Sequence, residues 1–235
     1  MKRLFEIFAL VGVILAASVP ASADPVDGGH ARVDFVSERE VATPGETVWL
    51  GFEFDMDPKW HIYWKNAGDA GIPPAMYWDE NTSLDESRIG EISWPTPELI
   101  PVVDGEIMDY GYSNRVTLPF PVQVPENQTD MMRFGGTLDY LICEDICIPE
   151  RVELELYLDV GPVQVPDLRG AELIGEALAD VPPSHDGMAR LTEDGDNWIL
   201  SVTGDQIAGT IGTARFFPET HDIVHAADQP AEFEF

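Results

Sequence analysis

The chain has 235 residues, 44% of them hydrophobic and 10% aromatic, which is enough to bury one good core and part of a second. Its formal net charge is -30, from 43 acidic against 13 basic side chains. Phosphate binding needs clustered Lys and Arg, so nucleic acid and anionic lipid are excluded as partners. The acidity is spread along the chain rather than gathered in blocks, as on a solvated surface.

In chain order, Lys2 and Arg3 precede an apolar run over residues 4–19 and the small residues Ala21, Ser22 and Ala23. This is the pattern of a secretory signal over residues 1–23, with a mature chain expected from Asp24; the run is too short for a membrane span. The rest is expected on the oxidising side of a membrane, where a disulfide forms and persists.

An extended segment is predicted over 32–36, and Thr43-Pro44-Gly45-Glu46 signals a turn. Val48, Leu50, Phe52 and Phe54 then alternate with Trp49, Glu53 and Asp55, the period of a strand. Asp57-Pro58 turns the chain into WHIYWK, with Trp60, Ile62 and Trp64 on one face and His61, Tyr63 and Lys65 on the other. The aromatics read as core. His61 has no second ligand at metal spacing, and no metal site is expected.

Residues 66–74, NAGDAGIPP, read as a loop, and strand-like pieces are predicted at 75–78 and 89–94. Residues 98–111, which include Glu106, Met108 and Tyr110, read as an irregular connection. A strand resumes at 116–124, where Pro119 and Pro121 make it an edge strand or a bulged one.

Residues 137–158 hold both cysteines, Cys143 and Cys147. Apolar residues recur at every second position before the pair (Leu138, Tyr140, Ile142) and after it (Val152, Leu154, Leu156, Leu158), the mark of half-buried strands. Fully extended, the two Cα atoms would be about 13 Å apart at roughly 3.3 Å per residue. A disulfide needs about 4.4 to 6.8 Å, so the chain must turn within Glu144, Asp145 and Ile146 into a hairpin with a cysteine at each strand end.

Such a bond is either a structural staple or a redox centre. Chain entropy gives so small a ring only about 2 kcal/mol, against about 5 for a loop of about 100 residues, so it is a poor staple. Small exposed rings are also the more easily reduced. Glu144 and Asp145 lie inside the ring, where negative charge disfavours a thiolate. The apolar side chains Ile142, Ile146 and Ile148 are the expected rim for partner docking.

After Gly161-Pro162 the pattern changes. Leu173, Ile174, Ala177 and Leu178 fall at helical spacing within 168–181, Pro182-Pro183 ends the run, and strands are predicted at 189–192, 198–202 and 213–217. The expected fold is all-β. A β-sandwich spans 24–160, and a linker, one short helix and the start of a second β domain follow over 161–235, with the chain cut inside that domain.

The segments WHIYWKNAGDAGIPP, YGYSNRVTLPFPV and LICEDICIPE together resemble the amino-terminal periplasmic domain of the DsbD disulfide-reductase family, on the side of its ScsB-type branch, named for suppression of copper sensitivity. The resemblance covers residues 35–160. A weaker likeness, at ARFFPETHDIVHAA over 214–227, is to a second periplasmic sandwich of the ScsB type.

The resemblance implies an immunoglobulin-like sandwich and a redox relay without a bound cofactor. A transmembrane DsbD-like domain would take electrons from cytoplasmic thioredoxin and pass them to this domain, which would reduce periplasmic thioredoxin-fold disulfide proteins. By likeness, Cys147 forms the mixed disulfide with the partner and Cys143 resolves it. The family also shields its cysteines with a cap loop, whose place is taken here by residues 106–110, with Met108 or Tyr110 as the covering side chain.

Two features depart from the family. Its usual pattern has more residues between the cysteines than the three found here, and its transmembrane and thioredoxin-like domains are not among these residues. Two other readings of the pair stand beside the relay: a non-catalytic interaction module with a structural disulfide, and Cu(I) capture by the reduced thiols with a nearby Met.

Overall fold

A computed structural model describes residues 24–184, 187–195, 197–204 and 215–221, so the expected export signal lies outside the described residues. The strands of the first half are β1 (Val26–Asp27), β2 (Ala31–Ser37), β3 (Arg39–Ala42), β4 (Thr47–Met56), β5 (His61–Gly68) and β6 (Ala75–Trp78). They continue as β7 (Glu98–Val102), β8 (Ile107–Ser113), β9 (Arg115–Gln123), β10 (Met132–Cys143), β11 (Cys147–Val160) and β12 (Val165–Pro166). Helix α1 (Leu168–Ala179) and the hairpin β13 (Met188–Asp194) and β14 (Asn197–Thr203) follow.

Two sheets make the expected sandwich. One has the order β1-β2-β4-β9, and the other β12-β3-β11-β10-β5-β8-β7 with β6 also on β10. The alternation seen in the sequence decides which side chains lie between them. Along β11, Glu150, Val152, Leu154, Leu156 and Leu158 are buried while the residues between them are exposed. Rings from both sheets meet in the middle: Phe35 lies 5.1 Å from Phe52, 6.1 Å from Trp78 and 6.5 Å from Phe134. Each such side chain contributes about 1.5–3 kcal/mol by leaving water.

The prolines of β9 sit where a missing N–H costs nothing. This strand is the sheet's edge, as expected, and the carbonyls of Pro119 and Pro121 point away from β4 to accept from Ser93 and Gly90. That same run corrects the strand expected at 89–94: only an isolated bridge joins Ile89 to Val122, and the segment lies along β9 without forming a ladder.

Three other expectations are revised. The supposedly irregular connection 98–111 holds β7 and most of β8, paired from Glu98↔Gly111 to Val102↔Ile107 around a tight turn with positive φ at Val103, Asp104 and Gly105. The loop expected from Asn66 begins later, because β5 runs on to Gly68. The strand expected at 213–217 falls partly outside the described residues, and 215–217 have no regular structure.

Helix α1 begins at Asp167, whose carboxylate accepts from the Gly170 backbone N–H at 2.7 Å. It rests against β2, β4 and β9. Arg169 holds it there, bonded to Asp34 Oδ2 at 2.7 Å and to Glu53, two carboxylates buried on the outer face of the small sheet. Gly170 lies so close to the Ser37 carbonyl that a β-carbon would overlap it. Farther along, Phe217 stands edge-on to Trp64 and Tyr110, and Asn66 Nδ2 donates to the Pro218 carbonyl at 2.7 Å.

Candidate redox site

The β10–β11 ladder is unbroken from Met132↔Leu158 to Cys143↔Cys147, so the register alone brings the sulfurs together. They are bonded, with an S–S distance of 2.07 Å and Cα atoms 4.2 Å apart. The two ends of this bond have different surroundings. Cys143 is 2% exposed, whereas Cys147 is open to solvent. The cause is strand order: Cys143 has β5 as its other neighbour, through His61, while β11 meets β3 only at Asp159 and Val160, far from Cys147.

What lies against the sulfurs is Tyr63. Its hydroxyl is 2.8 Å from Cys143 Sγ, 3.3 Å from Cys147 Sγ and 3.3 Å from Asp109 Oδ2. The same carboxylate oxygen is 3.4 Å from His61 Nε2. Tyr63, Asp109 and His61 are all buried. Burial first, then the charge of Asp109 and its hydrogen bond, push the Tyr63 phenol well above its ordinary range, so it stays protonated.

A loop closes over the tyrosine. Gly71, at φ +107°, lies so close to the Tyr63 ring that a β-carbon would overlap it, so only glycine fits. The loop is tied to the start of β8, because the Met108 N–H donates to Asp69 Oδ2 at 3.0 Å and the Asp69 N–H to the Met108 carbonyl at 3.1 Å.

The residues expected to form the cap lie in and just before β8. Side chains alternate along β8, so when Asp109 faces the sulfurs its neighbours face away. Tyr110 is 1% exposed among the core aromatics, Met108 packs against that core, and Glu106 is exposed beyond the turn. The side chains expected as a docking rim differ in exposure. Ile142 is fully buried and its cross-strand partner Ile148 packs on the core, which leaves Ile146, 66% exposed at the hairpin tip. Of the two carboxylates in the ring, Glu144 is paired with Lys59 at 3.2 Å and Asp145 is exposed.

Alternation puts His61 and Tyr63 on the face opposite Trp60, Ile62 and Trp64, yet the aromatics read as core and His61 only as a metal ligand without partners. Asp109 was passed over for its neighbours. The available signal was polarity: three hydrogen-bonding side chains on strand faces turned away from the aromatic core. Among the described residues no group of three or more His, Cys, Asp or Glu is gathered to hold a metal ion, and no helix is long and apolar enough to cross a membrane.

A β-sandwich whose hairpin tip carries a disulfide with one sheltered and one open sulfur is built for exchange at the open sulfur. The fold and site define a thiol–disulfide exchange domain. The chain belongs to the family of thiol:disulfide interchange protein DsbD, N-terminal, which it matches over residues 32–159. It is similar in fold to the crystal structure of the N-terminal periplasmic domain of ScsB from Proteus mirabilis, with a TM-score of 0.52 and 17% identity over 80% of this chain and 87% of that one. No curated protein matches the chain.

Proposed function

We propose that this chain is a periplasmic electron carrier that takes electrons from a membrane-embedded reductase domain and passes them to disulfides of periplasmic thioredoxin-fold proteins. The observation that carries this reading is the inequality of the two sulfurs. In the reduced state, Cys147 is placed to attack a partner disulfide, and Cys143, sheltered from outside oxidants, can reach only Cys147. Cys147 thiolate attack forms the Cys147–partner bond and frees one partner thiolate. Cys143 then attacks Cys147, the ring closes, and the second partner thiolate leaves.

Ile146 supplies an apolar contact at the tip, and the acidic surface suits a partner whose own site is electropositive. Residues 24–160 form the carrier in this reading, and 161–235 lead into a second periplasmic unit.

Redox equilibrium tests it. The oxidised protein is equilibrated with glutathione or thioredoxin buffers of graded potential and the reduced fraction is counted after thiol trapping. A carrier titrates above about -300 mV. A potential below that value marks a structural bond and overturns the proposal.

A further inference from the structure

We propose that Tyr63, backed by Asp109 and His61, is a proton relay that takes the proton from Cys143 when Cys143 resolves the mixed disulfide. The inference rests on the exchange reading above and assigns that site its internal base.

The need follows from burial. Cys143 must lose its proton before its sulfur can attack, because the thiolate is the nucleophile. At 2% exposure it has little access to water that could accept that proton. Tyr63 Oη at 2.8 Å lies against its sulfur, and beyond that oxygen stands Asp109 Oδ2 at 3.3 Å. In the dithiol or mixed-disulfide state the Cys143 thiol donates to Tyr63 Oη while the Tyr63 hydroxyl donates to Asp109. One shift along this line moves a proton from sulfur to the carboxylate and leaves the phenol protonated. A phenol held well above its ordinary range suits this role, since it passes a proton without resting as a phenolate.

The balance closes. The Cys143 sulfur uses its freed electron pair to bond Cys147, the Cys147–partner bond breaks, and that pair departs on the partner sulfur. The proton stays on the Asp109–His61 pair until the ring is next reduced, when it returns to Cys143.

Asp109 has an acceptor to spare: Oδ1 is buried and has no hydrogen-bond partner among the described residues. A buried polar atom left unpaired calls for an explanation, and a role in proton transfer is one. His61 braces Oδ2 and is itself placed by its register opposite Cys143. Asp109 and His61 act through Tyr63 and are positioning residues; Tyr63 touches the reacting sulfurs.

The charged groups on neighbouring segments are engaged elsewhere. Glu144 pairs with Lys59, Asp69 accepts from the Met108 backbone, and Lys65 pairs with Glu219 and lies over the Trp64 ring.

The test separates the two chemical steps, with oxidised glutathione as the probe. Attack by Cys147 is timed in a Cys143→Ser background, and resolution is timed as glutathione release from the glutathionylated dithiol protein, by rapid quench and mass spectrometry. Tyr63→Phe and the isosteric Asp109→Asn should each slow release by about tenfold or more, in the range of general acid–base effects, and slow it by more than they change Cys147 attack. Below the ordinary thiol range, release in these variants should rise about tenfold per pH unit, following the thiolate fraction, while the parent rises less steeply. A structural role would not steepen the profile.

Parental release rates and profiles in both variants overturn the relay and leave the exchange reading standing. Equal slowing of both steps also overturns it. A parent protein whose Cys147 never reacts with glutathione disulfide overturns the exchange reading, and the relay with it.

Discussion

Cys143 and Cys147 face each other across the last rung of one hairpin, yet the first is sealed against Tyr63 and the second opens to solvent. The covalent bond is symmetric and its surroundings are not. In the proposed carrier that difference sets which sulfur attacks and which resolves.

The two cysteines should behave differently when separated. Cys143→Ser is expected to capture glutathione disulfide at Cys147 and hold it as a stable mixed disulfide. Cys147→Ser should be labelled at Cys143 at least about tenfold more slowly, because access limits the buried thiol. Mass spectrometry of timed, quenched samples reads both rates; similar labelling would mean that the hairpin tip opens freely.

Reduction should leave the sandwich folded. The ring spans a sequence separation of only 4, so chain entropy gives the bond about 2 kcal/mol. Urea unfolding of the oxidised and reduced forms measures the difference. A loss much larger than this, with the β signal collapsing on reduction, would make the bond a staple.

Two glycines of α1 should respond in opposite directions to alanine. Gly175→Ala meets nothing within 4 Å and should stabilise by about 0.5–1 kcal/mol, the helix-propensity gain. Gly170→Ala collides with the Ser37 carbonyl and should destabilise by about 1–3 kcal/mol, as overpacking does. Urea midpoints compare them; a stabilising Gly170→Ala would show that α1 does not dock this closely.

Alkaline unfolding should be tied to buried tyrosines. Burial is the first cause raising Tyr63, Tyr112 and Tyr140, reinforced by Asp109, Asp180 and Glu150 respectively. The folded chain therefore keeps protons that the unfolded chain releases near pH 10. Stability from this source is complete below about pH 10 and falls as pH rises above it. Tyrosinate absorbance from these three should appear together with loss of the β-sheet circular dichroism. Ionisation with the sheet signal intact would contradict their burial.

Much of this was legible in the residues. Alternation along 138–142 and 152–158 determined two half-buried strands, and the short interval from Cys143 to Cys147 required a turn and permitted a bond. Pro119 and Pro121 limited β9 to an edge strand or a bulged one. All of these are local properties, carried by residues a few positions apart, and local geometry suffices to read them.

The neighbours of the sulfurs were decided at another level. Tyr63 is 80 residues from Cys143 and 46 from Asp109, and they meet only because β5 becomes the neighbour of both β10 and β8. Periodicity says which residues share a face but not which strands lie side by side, nor which face of a strand the other sheet will cover. So the pairing of the cysteines belonged to the sequence, whereas the sheltering of one sulfur, the exposure of the other and the polar side chains beneath them belonged to the order of strands in the folded sheet.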